Sequence, residues 1–406
     1  MYVGAHMLGP SVQLDEKNTR RVLLKETPRP DGKNTTWQSR DSVHPPHRMP
    51  VDVDEVFAAA RRGDAQFVLG AVVGADELLR AREANGWTLL HIFSRLSLPA
   101  PVRALLEMGA DAEARDSTFR SALHMAASAD AHPDAGGVQS YAEDDRPKAM
   151  LATLRFLLKG GARVTARDSF GMTALHHAAR AGRTEAVRFL LNLNMEMRMP
   201  RAPLEADTNA EERPLHLAAA GGHLDTVCML LKNGAHPGKT NYLGQSALHL
   251  AVSGGDTPAA LAVAREFVKP EWKVDLSSAA RDGSTPLHMA AAGGHDKMVR
   301  VLLHARKVLR TGGGRGVQLE AKDGQGRMAV DVAREEGFAD VVAMLDAEAK
   351  AAADRSAKAP AQEERELQRA FAESRLDSIS EGTIPSREGR GDDIMEQADD
   401  ADGDDD

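Results

Sequence analysis

One pattern of apolar and polar positions recurs along most of the chain: leucine, then histidine, then residues that are mostly alanine. The cleanest copy runs from Gly283 to His295. The six histidines of these copies are 33, 52, 40, 33 and 39 residues apart, so two intervals are equal and the others are longer by an insertion. A fixed period of this length predicts stacked helix pairs, because one pair alone cannot bury its apolar face. The histidines are His91, His124, His176, His216, His249 and His288.

Each copy also carries the local signals of a turn followed by two short helices. In the copy at 283–295, Gly283 permits a positive φ, the Thr285 hydroxyl can cap a helix, and Pro286 suits the first helical position. The second helix of several copies ends in Leu-Leu-x-x-Gly-Ala, as at 230–235. The abundant alanines let neighbouring helices approach closely.

These residues resemble the ankyrin repeat, whose pattern is Gly-x-Thr-Pro-Leu-His-x-Ala-Ala and then a second helix ending in Leu-Leu-x-x-Gly-Ala. The match covers about residues 53–346. It implies an all-α fold, an ankyrin-type α-solenoid of about eight helix-pair repeats with disordered termini. Asp331 stands at the histidine position of the last copy, which resembles a C-terminal cap. Phe119 and Glu211 replace the turn glycine, so we expect those two turns to be strained or reshaped.

Composition and spacing divide the chain into five segments. We expect a disordered N-terminal segment at 1–50, the ankyrin repeat solenoid at 51–346 with insertions at 130–148, 194–207 and 305–320, an Ala-rich linker at 347–360, a short helix at 361–378 and a disordered acidic tail at 379–406.

The charge is uneven along the chain. Of the net charge of −9, residues 391–406 contribute nine acids and no base, whereas residues 1–50 carry eight bases and five acids. The repeats between are close to neutral, so no basic stripe favours nucleic acid as a partner. No apolar run approaches 18 residues, so we expect no membrane insertion. The single cysteine, Cys228, and the absence of a signal-peptide pattern favour the cytoplasm or the nucleus, and we expect a monomer.

Catalytic and metal-binding motifs are missing from the sequence. It has no Gly-x-Ser-x-Gly, no phosphate loop and no His-Glu-x-x-His, so we expect neither an enzyme nor a cofactor. The repeat histidines lie 33 or more residues apart, unlike the short spacings of zinc ligands. By the resemblance they hydrogen-bond neighbouring backbone, so their role is structural and we expect no metal.

The resemblance also implies where partners bind, because hairpin tips and first helices of ankyrin repeats line a concave face that holds other proteins. Exposed aromatic side chains are typical interface anchors. Phe170 and Tyr242 have the alternative of packing between adjacent hairpins, whereas Trp87 is expected on the surface. The candidate partner contacts are Trp87, Phe170, Met172, Tyr242, Leu243 and Gln245.

A second motif follows the repeats. Leu367, Ala370, Phe371 and Ser374 share one face of a predicted helix, after an acidic run. The pattern resembles a ubiquitin-interacting motif, which implies that these four residues contact ubiquitin. The alternative is an amphipathic helix that folds back onto the last repeat.

The sequence thus predicts an intracellular scaffold or adaptor that holds a protein on the ankyrin concave face and binds ubiquitin weakly through its C-terminal helix. The alternative is an ankyrin scaffold with no ubiquitin role, whose acidic tail engages a basic partner of a chromatin or chaperone-like kind.

Overall fold

The computed structural model describes residues 52–73, 75–129, 145–309, 316–355 and 368–369. Within these ranges the regular structure is helical, apart from two isolated antiparallel bridges, Thr240 with Ser246 and Lys322 with Met328. The main helices follow one another as eight pairs. This confirms the predicted all-α solenoid of helix-pair units.

The first helix of each pair is short and begins directly after a turn. The first helices are α1 (Val53–Arg61), α4 (Leu89–Arg95), α6 (Ala122–Ser128), α8 (Ala174–Arg180), α11 (Pro214–Ala220), α13 (Ala247–Ser253), α15 (Pro286–Ala292) and α17 (Ala329–Glu335). The second helices are α2 (Ala65–Val72), α5 (Pro99–Glu107), α7 (Arg146–Lys159), α9 (Thr184–Leu191), α12 (Leu224–Lys232), α14 (Pro258–Phe267), α16 (Asp296–Leu309) and α18 (339–355). Three short helical turns are α3 (Glu77–Arg80), α10 (Leu193–Glu196) and the 3₁₀ turn Pro270–Trp272.

The units form a linear stack. First helices contact first helices from α1 through α17, and second helices contact second helices from α2 through α16. The first helices approach closely because the alanines that follow five of the six repeat histidines are buried at their interfaces. Fully buried examples are Ala126, Ala178, Ala218, Ala251 and Ala290. A larger side chain at these positions would overpack the contact between units.

The repeat histidines join each unit to the next. His176 shows the arrangement: its Nδ1 accepts the backbone N–H of Thr173 at 3.1 Å, and its Nε2 faces the carbonyls of Ala206 at 2.9 Å and Glu212 at 3.2 Å. The other five histidines make the equivalent bonds, at 3.0–3.3 Å on both ring nitrogens. An accepting Nδ1 and a donating Nε2 require the neutral imidazole.

The last unit replaces this histidine by Asp331. Its Oδ2 accepts the backbone N–H of Met328 at 3.0 Å, as the imidazole Nδ1 does elsewhere. The second helix of this unit, α18, continues to residue 355, where Arg355 binds the buried Glu348 at 2.7 Å. Residues 347–355, the first part of the predicted Ala-rich linker, are therefore helical and continue the last helix pair.

The predicted insertions fall between helices, with helical residues at their ends. Residues 146–148, predicted to be loop, belong to α7 because Pro147 and the following apolar residues start that helix. Within 194–207 the chain first completes α10, and within 305–320 it completes α16. The remainder of the first insertion, 130–144, and residues 310–315 lie outside the described ranges, as do residues 1–51.

Candidate protein-interaction surface

Seven five-residue turns in the described part of the chain, one before each first helix from α4 to α17, form a continuous hydrogen-bonded edge. Within each turn the N–H of the first residue donates to the carbonyl of the fifth at 2.8–2.9 Å. Between turns, the N–H of the second residue donates to the carbonyl of the third residue of the preceding turn at 2.8–3.1 Å. We call this surface the hairpin edge. It comprises residues 83–87, 116–120, 168–172, 208–212, 241–245, 280–284 and 323–327.

A side-chain acceptor at the first position fixes the shape of several turns. The carboxylate of Asp168 accepts the N–H groups of Phe170 at 2.9 Å and Met172 at 2.8 Å, and its other oxygen lies 2.8 Å from Nε2 of His177. Burial alone would raise the pKa of Asp168, but these hydrogen bonds outweigh it and lower the pKa. Asp116 makes the equivalent backbone bonds in the preceding turn. These turns are therefore held by buried, charged carboxylates.

The fourth residue of every turn has a positive φ. Five of these residues are glycines with φ between 74° and 82°. Phe119 and Glu211 adopt the same conformation, with φ of 61° and 57°. Of the two predicted outcomes, strain or reshaping, the structure shows strain, because the ladder to neighbouring turns is kept. The left-handed conformation costs a non-glycine residue about 1–2 kcal/mol.

Four large apolar side chains are exposed on the hairpin edge. They are Phe119 at 61%, Phe170 at 64%, Tyr242 at 46% and Leu243 at 41% exposure. Phe170, Tyr242 and Leu243 belong to the predicted contacts, and Gln245, also predicted, is half-buried beside them. Sequence reasoning missed Phe119, although an aromatic side chain in the place of a turn glycine was the available signal.

Two predicted contacts, Trp87 and Met172, make bonds within the stack. The indole Nε1 of Trp87 donates to Oδ2 of Asp116 in the next turn at 3.2 Å, and the Arg95 guanidinium lies 5.3 Å from its ring centroid. Met172 is buried, and its carbonyl faces Nε2 of His124 at 3.2 Å. Contrary to the expectation of an exposed tip, Trp87 is half-buried and ties the first two turns together.

The four predicted ubiquitin contacts, Leu367, Ala370, Phe371 and Ser374, lie outside the described residues, as does the acidic tail. Their neighbours 368–369 are described and are helical. The ubiquitin hypothesis therefore rests on the sequence pattern.

Titratable side chains in the stack serve its packing. Over the described ranges, no group of three or more His, Cys, Asp or Glu side chains is arranged to hold a metal ion. The rings of His124 and His177 meet edge to face, with centroids 5.3 Å apart, and both already hold hydrogen-bond partners. Within the same ranges, no helix has the length and apolar character needed to cross a bilayer.

Comparison with known proteins points in the same direction. The family model described as ankyrin repeats (3 copies) matches residues 147–241 and 215–311. The chain is 32% identical over 191 residues to the Transient receptor potential cation channel subfamily A member 1 homolog of Caenorhabditis elegans, a match covering 47% of this chain and 14% of that protein. It is 30% identical over 204 residues to the B-cell lymphoma 3 protein homolog of Mus musculus, covering 50% of this chain and 39% of that one.

A further relative is Ankyrin repeat and SOCS box protein 16 of Mus musculus, 31% identical over 205 residues, again covering 50% of this chain and 39% of the relative. The chain thus spans well under half the length of each of these three proteins, none of which is named as an enzyme. The histidine period, the stacked helix pairs and the family match agree that this chain contains a solenoid of ankyrin repeats, an architecture that serves protein–protein interaction.

Proposed function

We propose that the protein is a scaffold or adaptor that binds one partner protein along the hairpin edge and the first helices beside it. The observation that carries this proposal is the exposure of Phe119, Phe170, Tyr242 and Leu243 on one hydrogen-bonded ladder. A partner that covers them removes apolar surface from water, at about 25 cal/mol for each Å².

The dimensions of this patch suit a protein partner. Packed helical units lie about 10 Å apart, so the four turns from Phe119 to Leu243 extend over about 30 Å. A stable interface buries about 800 Å² on each side, which is a patch of comparable width. The backbones of Phe170, Tyr242 and Leu243 are each held by a bond between turns. Little backbone ordering is therefore required on binding.

Alanine substitution of Phe170, Tyr242 or Leu243 is expected to lower affinity for the partner by about 1–3 kcal/mol each. The melting temperature is expected to change little, because each side chain is at least 41% exposed. The partner is first captured from a native lysate with the full chain. Its affinity for each variant is then measured by calorimetry.

Met195→Ala is the matched control, since Met195 is 84% exposed and lies off the hairpin edge in α10. It is expected to leave the affinity unchanged. Equal affinities for all four variants and the native chain would show that the partner binds another surface.

The finer part of the proposal is that residues 363–377 bind ubiquitin weakly. It is supported by the acidic run and by the spacing of Leu367, Ala370, Phe371 and Ser374, which puts them on one helical face. A short helix buries little area, so the affinity on its own is low. Together with the repeats, it acts through effective concentration when one target carries both ligands.

Adding the full chain to isotope-labelled ubiquitin is expected to shift NMR signals on one apolar face of ubiquitin. Ala370→Asp is expected to abolish the shifts, because it places a charge against that face. The substitution Ser356→Asp, outside the motif, is the control for added charge. Shifts that survive Ala370→Asp, or no shifts at millimolar protein, would contradict ubiquitin binding at this site.

A further inference from the structure

Three arginines occupy the same place in successive units, immediately before the first residue of a turn. The Nη1 atom of Arg115 donates to the carbonyls of Phe119 in its own turn and Arg167 in the next unit, both at 2.7 Å. Arg82 makes the same two kinds of bond one unit earlier, to Gly86 at 3.2 Å and to Arg115. Arg167 donates to the carbonyl of Asp207 one unit later, at 2.5 Å. We call Arg82, Arg115 and Arg167 the arginine row.

The positive charges of this row lack acidic partners. Among the described residues, Arg82 and Arg167 have no carboxylate within ion-pair distance. The nearest to Arg115 is Glu113 at 3.8 Å, which already binds Arg163 at 2.7 Å. The carboxylates at the first position of these turns are taken by other groups: Glu83 by Arg61, Asp116 by Arg120 and Asp168 by His177.

Each guanidinium is nevertheless held in place. These bonds occupy one terminal nitrogen of each arginine and leave other N–H donors of the planar guanidinium for a ligand. Because the side chains are anchored to backbone carbonyls, less rotamer freedom is lost when an acid binds. The arginine row is therefore a pre-organised surface for binding anionic groups, along the N-terminal part of the hairpin edge.

The spacing of the row selects a particular acidic sequence. Units lie about 10 Å apart, and an extended chain advances about 3.3 Å per residue, so successive arginines match acids at every third residue. The chain itself contains this pattern. Acids stand at Asp393, Glu396, Asp399, Asp402 and Asp405, within a segment that has nine acids and no base.

We propose that residues 391–406 of this chain bind the arginine row and cover the N-terminal part of the hairpin edge. The 37 residues at 356–392 reach up to about 120 Å, whereas the row lies four to six units from α18, about 40–60 Å. The link makes binding intramolecular, so weak ion pairs suffice. The cover lies over the turns that carry Phe119 and Phe170. The bound tail therefore competes with the partner protein of the proposed function. A regulatory role for the tail rests on that proposed function, whereas the contact between tail and arginine row does not.

The test uses the full chain with a photo-cross-linking amino acid at position 395, between Asp393 and Glu396. After irradiation in 50 mM salt, mass spectrometry is expected to find cross-links to peptides that contain 115–120 or 167–171. At 500 mM salt the yield is expected to fall at least fivefold, because exposed charges are screened. Mixing with isotopically heavy chain distinguishes contacts within one chain from contacts between copies.

Matched tail variants test the spacing. Neutralising the five acids at every third position (Asp393→Asn, Glu396→Gln, Asp399→Asn, Asp402→Asn, Asp405→Asn) is expected to remove the cross-links. Neutralising the other four (Asp392→Asn, Asp400→Asn, Asp404→Asn, Asp406→Asn) is expected to keep at least half of them. The pair Arg82→Gln and Arg167→Gln, with helicity checked by circular dichroism, is expected to remove them as well.

Any of four results overturns this docking. The cross-links lie elsewhere on the solenoid, they form only between copies, they form only to a basic protein added from a lysate, or they do not form. Equal loss in both tail variants overturns the spacing. The proposed function is decided separately by the affinities of the Phe170, Tyr242 and Leu243 variants, measured in a chain whose tail is neutralised. If the tail does not bind the arginine row but the hairpin edge binds a partner, the alanine variants still lose affinity for that partner.

Discussion

Lowering the pH from 7 to 5 is expected to reduce the free energy of unfolding by about 6 kcal/mol. The loss comes mainly from three repeat histidines, His124, His176 and His216, whose pKa values in the folded protein are lowered to about 4. Below the ordinary pKa of about 6.5, each contributes a loss of about 1.4 kcal/mol per pH unit. Since native domains are stable by about 5–15 kcal/mol, the stack is expected to open in this range.

Stability falls as the pH is lowered because burial is the main cause of each lowered pKa. An imidazolium inside the stack loses its hydration. The folded pKa is below the unfolded one, so the unfolded chain binds protons first. The contribution of these histidines to the free energy of unfolding is therefore fully present above about pH 6.5. It decreases as the pH falls, and the decrease levels off near pH 4. Burial also lowers the pKa of His91 and His249, which adds to the loss, whereas burial raises the pKa of Glu212, which opposes it.

Urea unfolding followed by circular dichroism at pH 7, 6 and 5 measures this slope. Replacing His176 by glutamine is expected to lower stability at pH 7 and to flatten the slope by up to about a third, since one of the three main protonation sites is gone. Replacing His304, which is exposed on α16, by glutamine is the control and is expected to leave the slope unchanged. A stability that is constant between pH 7 and 5 would mean that the imidazoles are not held neutral.

The fold is predictable here because its determinants are local and repeated. The period of Leu-His pairs places one helix pair per copy, and Thr285 with Pro286 marks where a helix starts. Each unit contacts only its neighbours, so no long-range pairing has to be guessed. The exception is at the ends, where no period exists, and there the sequence pattern does not show that the Ala-rich residues 347–355 continue the last helix pair.

The candidate site was less predictable, because the exposure of a turn side chain depends on the unit that follows it. Phe170 remains exposed, whereas Met172, two residues later in the same turn, is buried. Trp87 lies beside a turn glycine, yet Asp116 of the next turn draws its indole inward through a hydrogen bond. The sequence pattern contains no signal for either contact between turns.

Phe119 and the arginine row show what a departure from the repeat pattern means. Phe119 keeps the left-handed φ that glycine normally supplies, so the fold bears strain that places an aromatic ring outward. Such strain is concentrated at functional sites when neighbouring contacts maintain it. Arg82, Arg115 and Arg167 each stand nine residues before a repeat histidine, but the bonds that they make to the next unit are seen only in the stacked structure.

Replacing Gly283 by alanine is expected to destabilise the protein by about 3–5 kcal/mol. Gly283 has a φ of 82°, and an alanine Cβ there would collide with the backbone of the next turn, overlapping the amide nitrogen of Gly324 and approaching the carbonyl carbon of Asp323 to 2.8 Å. No side chain can move aside to relieve this contact. The collision forces the two turns apart and breaks the bond from Gly324 N–H to the carbonyl of Asp282, now 2.8 Å long.

Gly326→Ala separates the close approach from the backbone strain. Gly326 has nearly the same φ, 80°, but nothing lies within 4 Å of a Cβ built there, because its turn is the last described on the hairpin edge. It is expected to cost only about 1–2 kcal/mol. Both variants are measured by urea unfolding, and equal losses would show that the packing between turns is not what requires glycine at position 283. If the difference is found, Gly283→Ala is also expected to weaken partner binding in the folded fraction, because the turn it displaces anchors the carbonyl of Leu243 through Arg281 at 2.8 Å.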